Sequence, residues 1–219
     1  MLAIFFCLVV LLTVTLLTKL AILPRAKFLL LLSAWLILTA LIAGTGILTH
    51  MEHVPPPVLL LFGGSFLLTA VLAFTTPRPS LPPITWLIGF QAFRVLVELF
   101  LAWGYHDGLV PLQMTIEGRN WDLLTGLTAL PVAWLVSRNK LGARGALIWN
   151  CAGTLTLLNI VIVAILSMPL PIRQFFNDPP NTFVTGWPYV WLPAFLVQAA
   201  WLGHLLLFRK LAGGAPDKP

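Results

Sequence analysis

The sequence has very few charged residues. They make up 9% of its 219 positions, whereas an ordinary soluble domain has about 25%. So few polar side chains cannot cover a water-facing surface, which excludes a soluble globular fold. The chain has only two cysteines, Cys7 and Cys151, and they fall at different depths of separate apolar runs, which excludes a disulfide between them. The basic residues stand in short clusters between apolar runs, which argues against a nucleic-acid partner.

Apolar runs occupy most of the chain, and 59% of its residues are hydrophobic. A helix of about 20 apolar residues crosses a hydrocarbon core roughly 30 Å thick. Seven runs approach this length, the third and fifth being short, near residues 1–18, 28–48, 58–75, 84–104, 121–137, 145–167 and 187–208. Because backbone groups in lipid must be hydrogen-bonded internally, the runs predict helices. The predicted fold class is all-α, a polytopic membrane bundle of about seven transmembrane helices. It forms one domain over residues 1–211, with a short disordered cytoplasmic tail at 212–219.

Lysine and arginine predict the orientation of this bundle. Ten of the 13 basic residues follow the first, third, fifth and seventh runs, so they fall on one side of the membrane. Loops rich in lysine and arginine stay in the cytoplasm. The N-terminus is therefore predicted to lie outside and the C-terminus inside. The lipid bilayer is the partner that the sequence predicts, while a small-molecule or lipid ligand and the oligomeric state stay open.

The fourth run contains the two charges that most need an explanation. Arg94 and Glu98 stand in the stretch QAFRVLVELF, and with Gln91 they follow the helical spacing that puts all three on one face. An arginine at the membrane centre costs at least about 2.5 kcal/mol, so this face is predicted to look into the bundle or a wet cavity. Arginine before glutamate is the weaker order within one helix, so both are expected to have partners on other helices. The candidate partners are Asp122, Thr125, Asn159 and Gln198.

A polar stretch, HDGLVPLQMTIEGRNWD, connects the fourth run to the fifth. Asn120 is placed to cap the fifth helix, and Asp122 suits its first turn, where the helix dipole favours an acidic residue. Capping does not explain Glu117 and Arg119, or why this stretch adjoins the two charges of the fourth run. The candidate ligand-binding or acid–base residues from this stretch are His106, Gln113, Glu117, Arg119, Asn120 and Asp122. The same set of candidates includes Gln91, Arg94, Glu98, Asn159 and Gln198 from the apolar runs.

Histidines provide two further features. His50 and His53, in the motif HMEH, are the side chains that could bind zinc or copper, with His106 as a further ligand. A short water-facing loop is where solvated histidines are common, so no metal site is predicted and the cofactor stays unknown. His204, in the seventh run, is placed about one turn from the cytoplasmic end, where it is expected to bond a neighbouring helix.

A set of short motifs spans roughly the last 130 residues. They are Arg94, Glu98, His106, Gly108-Leu109-Val110-Pro111, Met114-Thr115, Glu117-Gly118-Arg119-Asn120, Asp122, Trp149-Asn150, Asn159, Pro180-Asn181-Thr182, Trp191-Leu192-Pro193 and His204. Together they resemble an uncharacterised family of small bacterial polytopic inner-membrane proteins. The resemblance implies a multi-pass protein of the bacterial inner (cytoplasmic) membrane and no particular activity.

Three functional hypotheses follow from these observations. The first is an outward-facing polar pocket within the membrane that binds or transports a small polar or anionic ligand, with Arg94 holding it. The second is an intramembrane enzyme in which Glu98 and Asp122, or Glu117, act as acid and base on a lipid or isoprenoid-like substrate. The third is a structural or accessory membrane subunit in which Arg94 and Glu98 hold helices together.

Overall fold

The structure, a computed structural model, describes residues 1–20 and 24–213, and every regular element in these residues is helical. The α-helices are α1 (Leu2–Thr18), α2 (Arg25–Gly44), α3 (Pro57–Thr75), α4 (Ile84–Phe90), α5 (Arg94–His106), α6 (Asp122–Ser137), α7 (Ala143–Leu166) and α8 (Val197–Ala212). A 3₁₀ turn at Gln91–Phe93 joins α4 and α5 into one rod, and a π-helical segment at Leu192–Leu196 leads into α8. The tail predicted at 212–219 lies, from residue 214 onward, outside the described residues.

Each predicted apolar run overlaps one of these helices, with the α4–α5 rod counted as one. Five are long and apolar enough to cross a membrane, namely Arg25–Gly44, Pro57–Thr75, Ile84–His106, Ala143–Leu166 and Leu192–Ala212. The third and fifth runs, which are short in the sequence, correspond to α3 with 19 residues and α6 with 16, and of these two α3 is long enough to be a candidate membrane span. The orientation and the number of crossings stay predictions. The chain thus has the helix lengths and composition of a membrane protein.

Prolines determine where several of these helices begin. Pro57 occupies the first turn of α3, and Pro83 immediately precedes α4. Proline suits these positions because its fixed φ is helical and its missing N–H would have no partner there. Pro193 lies in the π-helical segment, and its carbonyl accepts a hydrogen bond from Nε2 of Gln198 at 2.9 Å. A side chain therefore satisfies a backbone group where the helix is irregular, as an apolar environment requires.

The α4–α5 rod and α8 form the centre of the bundle. α8 packs against α3, α4 and α7, and the rod packs against α6 and α8. In the most apolar 18 residues of each segment, 72% are buried in Leu192–Ala212 and 61% in Ile84–His106. The corresponding share is 17% in α2 and in α3. The peripheral helices carry exposed leucines such as Leu30 and Leu60, as lipid contact requires. The central helices carry the buried polar side chains Gln91, Arg94 and His204.

Candidate functional site

A buried ion pair joins α5 to α6. Arg94 is 2% exposed and Asp122 is 5% exposed. Nε of Arg94 donates to Oδ2 of Asp122 at 2.7 Å, and Nη2 of Arg94 contacts Oδ1 of the same carboxylate. This two-oxygen contact neutralises the guanidinium in the apolar interior, where an unpaired charge would be very costly. The sequence-based expectations that Arg94 faces the interior and that Asp122 is its partner are confirmed.

Arg94 also contacts a histidine that the sequence analysis did not connect with it. Nη1 of Arg94 donates to Nε2 of His204 at 2.9 Å, and the His204 ring is fully buried. Because a guanidinium can only donate, His204 accepts at Nε2 and carries its proton on Nδ1. That Nδ1 donates to Oδ1 of Asn150 at 2.7 Å, and Nδ2 of Asn150 donates to the backbone carbonyl of His204 at 3.1 Å. The ring is therefore held in one orientation between α5 and α7.

The expectation that His204 lies about one turn from the end of its helix is wrong. α8 continues to Ala212, so the histidine stands about two turns from that end and reaches Arg94. Gly153 of α7 leaves room for the ring, because a Cβ there would lie 2.8 Å from Cε1 of His204. One sequence feature could have indicated that α7 packs against His204: Asn150 and Gly153 are three positions apart, on the same face of that helix.

Two threonines complete the network around the guanidinium. Nη2 of Arg94 lies 3.4 Å from the carbonyl oxygen of Gly153 and 3.5 Å from Oγ1 of Thr156. The hydroxyl groups of Thr156 and Thr125 are 2.8 Å apart. Thr125, an expected partner of the α5 charges, therefore reaches Arg94 only through Thr156. The network connects four helices, α5, α6, α7 and α8.

Glu98 lies one turn beyond the ion pair on α5 and has a different partner. Nδ2 of Asn120 donates to Oε2 of Glu98 at 2.7 Å and to the carbonyl of Met114 at 3.0 Å. Oδ1 of Asn120 accepts the backbone N–H of Asp122 at 2.9 Å. The prediction that Asn120 is the N-cap of α6 is wrong, because Trp121 occupies that position and makes no side-chain capping hydrogen bond. Asn120 stands one residue earlier and accepts from the first residue of the helix. One asparagine fixes both the start of α6 and the position of the Glu98 carboxyl group.

A cavity of about 340 Å³ lies beside these charges, between α3, α5, α7 and α8. Most of its wall consists of apolar side chains, for example Phe62 of α3 and Leu157 of α7. Arg94, Glu98 and Asp122 are the charged residues on this wall. The cavity therefore combines a charged region with a long apolar surface, which suits a molecule that has both characters.

Apart from the Asp122 carboxylate, which Arg94 contacts, two side-chain oxygen atoms on the cavity wall have no hydrogen bond from the residues that the structure describes. Asn181 is 1% exposed, and its Nδ2 donates to the carbonyl of Ala164 at 2.9 Å, while its Oδ1 has no partner. Glu98 accepts its one hydrogen bond at Oε2, so Oε1 is unused as well. Arg94 differs, because its guanidinium is already engaged by Asp122. The unused polar atoms of the cavity are therefore hydrogen-bond acceptors.

Two predicted glutamines are buried but lie apart from the ion pair. Nε2 of Gln91 donates to the carbonyl of Ala200 at 3.1 Å, which ties the α4–α5 rod to α8. Nε2 of Gln113 donates to Oγ of Ser167 at 2.7 Å, and Oε1 of Gln113 accepts from Asn177 at 2.6 Å. Gln113 thus belongs to a second polar cluster that joins two loops to the end of α7.

The other predicted residues do not reach the cavity beside Arg94. His106, Glu117 and Arg119 are exposed. Asn159 donates to the backbone carbonyl of Arg119 at 2.7 Å, and Gln198 lines a different cavity of about 410 Å³ against α2 and α3. The expectation that Asn159 and Gln198 bind the α5 charges is wrong, because each donates instead to a backbone carbonyl.

Comparison with models of protein families identifies the family of this chain. A family model described as "Domain of unknown function (DUF8737)" matches residues 54–212, nearly three quarters of the sequence, and the chain belongs to that family. The expected membership of an uncharacterised family is confirmed. The matched residues include the whole polar network and the cavity wall. Comparisons with curated proteins and with solved structures gave no match.

Proposed function

We propose that this member of the DUF8737 family is an integral membrane protein that binds, within its helix bundle, a ligand with an apolar body and a hydrogen-bond-donating polar end. The observation that carries the proposal is the position of Arg94, Glu98 and Asp122 on the wall of an otherwise apolar cavity. Its volume, about 340 Å³, is at the lower end of the range of roughly 300–1,000 Å³ for small-molecule sites. Ionisable side chains among membrane helices are costly, and their usual role is in binding or transport.

The chemistry of the polar end follows from the charges and the unused atoms. Arg94 is paired with Asp122, so Glu98 has no ion pair of its own among the described residues of this region. A buried carboxylate in that position needs a donor from a partner. A ligand amine or hydroxyl group supplies that donor, and Oδ1 of Asn181 can accept a second hydrogen bond. The hypothesis of an anionic ligand held by Arg94 has less support, because Asp122 already engages the guanidinium.

A structural role for the polar network is the second candidate. The observation in its favour is that Arg94 finds its partners inside the protein, on α6, α7 and α8. The enzyme hypothesis has weaker support, because Asp122 is bound to Arg94 and only Glu98 keeps an unused oxygen. Placement in a bacterial inner membrane, with the N-terminus outside, stays part of the proposal as a prediction from the sequence.

The binding proposal is tested with three probes that share one chain length and differ in the polar group: decylamine, decanol and decanoate. The purified full-length protein is released from lipid nanodiscs, and native mass spectrometry measures the fraction that carries each probe. Decylamine and decanol are expected to bind more tightly than decanoate. Glu98→Gln is expected to weaken decylamine binding by roughly tenfold, which is about 1.4 kcal/mol, because it removes the carboxylate charge.

A matched pair of alanine substitutions on α7 separates cavity binding from adsorption to the protein surface. Ala164 lines the cavity, whereas Ala152 is exposed on the same helix. Ala164→Phe fills part of the cavity and is expected to abolish probe binding, while Ala152→Phe keeps it. Equal binding by the two variants would refute the ligand proposal. If the wild-type protein binds none of the three probes, the structural role is favoured.

A further inference from the structure

The loop between α2 and α3 brings three potential metal ligands together. Nδ1 of His50 lies 2.9 Å from Oε1 of Glu52, and Nδ1 of His53 lies 3.5 Å from the same oxygen. One donor atom from each of the three residues lies within 4.8 Å of the other two. Both imidazoles therefore present a nitrogen to one carboxylate oxygen, around a point that all three can reach.

Two apolar residues attach this loop to the rest of the protein. Leu48 is 1% exposed, and Met51 is partly buried against the apolar core, so these two residues anchor the loop. Gly46 has a φ of 75°, in the left-handed region that glycine tolerates, and its carbonyl accepts from Oγ1 of Thr49 at 2.7 Å. The ligand residues stand on either side of the anchored Met51 and are exposed to solvent. The positions of the three ligand residues therefore depend on the anchored loop backbone as well as on their side chains.

The separations between donor atoms fit a small tetrahedral ion. Zinc binds nitrogen and oxygen ligands at about 2.0–2.2 Å, so two ligand atoms of a tetrahedral site lie about 3.3–3.6 Å apart. The separation of 3.5 Å between His53 and Glu52 lies within this range, whereas the separation of 2.9 Å between His50 and Glu52 is shorter, so a small side-chain rotation would have to widen it. Two histidines and one carboxylate are also a ligand set that zinc uses when a fourth position stays open to water.

We propose that His50, Glu52 and His53 bind one divalent transition-metal ion, for which Zn²⁺ is the probe, with water in the fourth position. The imidazole-rich set favours zinc, copper or nickel over magnesium or calcium, which prefer oxygen ligands. Each histidine would bind the ion through the lone pair of a neutral Nδ1, with its ring proton on Nε2, and the hydrogen bond between His50 and Glu52 would be lost. The site lies just before residue 54, where the family match begins, and it is independent of the proposed ligand cavity.

Isothermal titration calorimetry of the full-length protein in nanodiscs, without an affinity tag, tests this inference with zinc chloride. The wild-type protein is expected to take up one Zn²⁺ per chain. His50→Gln and His53→Gln together are expected to abolish this uptake, and Glu52→Gln to weaken it at least about tenfold. Co²⁺ added in place of Zn²⁺ is expected to give the visible absorption of a tetrahedral complex, which the double histidine variant lacks.

His106→Gln is the matched control. His106 is also an exposed loop histidine, but it is not among the three residues whose donor atoms cluster. Its replacement is expected to leave zinc uptake unchanged. The inference is overturned if the wild-type protein binds no more zinc than the double variant, or if His106→Gln removes the binding as well. Because all the substituted side chains are exposed, these variants are expected to fold as the wild-type protein does.

Discussion

Replacing Asp122 by asparagine tests whether the Arg94 guanidinium depends on a buried counter-charge. Asparagine has nearly the shape of aspartate but no charge, so the packing around α6 is retained. The guanidinium stays 2% exposed and keeps its hydrogen bond to Nε2 of His204 at 2.9 Å. Because that acceptor is uncharged, it does not replace the lost carboxylate. The variant therefore isolates the electrostatic part of the interaction.

The expected loss is large on the scale of single substitutions. Removing one partner of a buried ion pair costs about 3–5 kcal/mol, because the other charge is left without compensation. The cost of placing an unpaired arginine at the membrane centre, about 2.5 kcal/mol, is the lower limit for this loss of stability. Replacing both partners by apolar residues of similar size, as in Arg94→Met with Asp122→Leu, removes both charges together. That double variant is expected to be more stable than Asp122→Asn, because its remaining cost is the hydrogen-bond partner that buried His204 loses, about 1–3 kcal/mol.

Reversible unfolding in mixed micelles with increasing sodium dodecyl sulfate, followed by far-ultraviolet circular dichroism, measures these free energies. Glu117→Gln is the control, because Glu117 is an exposed acid in the loop before α6 and its loss is expected to change stability by less than about 0.5 kcal/mol. A cost below about 1 kcal/mol for Asp122→Asn would refute the reasoning. So would a double variant that is as unstable as the single one.

Two further substitutions test the packing around the ring of His204. Gly153→Ala is expected to lower the free energy of unfolding by about 1–3 kcal/mol, because the added Cβ would lie 2.8 Å from Cε1 of His204. Gly64→Ala on exposed α3, where a Cβ would meet nothing within 4 Å, is the control and is expected to be neutral or stabilising. His204→Phe is expected to cost about 1–3 kcal/mol, because Arg94 and Asn150 each lose a hydrogen-bond partner in the interior. Wild-type stability in either variant, by the same unfolding measurement, would contradict the described network.

The polar network and the cavity have separate consequences for the protein. The contacts of Arg94 fix the relative positions of α5, α6, α7 and α8, whichever function the cavity serves. Glu98 and Asn181 contribute little to the polar network of Arg94, since each keeps an oxygen without a hydrogen bond from the described residues. Substitutions at Arg94 are therefore expected to affect stability first, and substitutions at Glu98 to affect binding first.

The sequence by itself determined the helical architecture and the burial of the charges on α5. Runs of apolar residues fix helices because lipid leaves no other way to satisfy the backbone. Arg94 and Glu98 had to face the interior because exposure to acyl chains would be too costly. The partnership of Arg94 with Asp122 could be anticipated, since the acid opens the helix that follows in the chain. These inferences need only local spacing and the cost of charge in an apolar solvent.

Only the tertiary structure decided which residues of distant helices meet. His204 was predicted too near the end of its helix, because the sequence pattern places helix ends only within a few residues. Asn159 and Gln198 lay at suitable depths but donate to backbone carbonyls, a choice that depends on how each helix is rotated. The cavity could not be read from any one helix, because it is the space that α3, α5, α7 and α8 leave between them. Helix rotation and crossing are set by side-chain packing along whole interfaces, which the spacing within one helix does not encode.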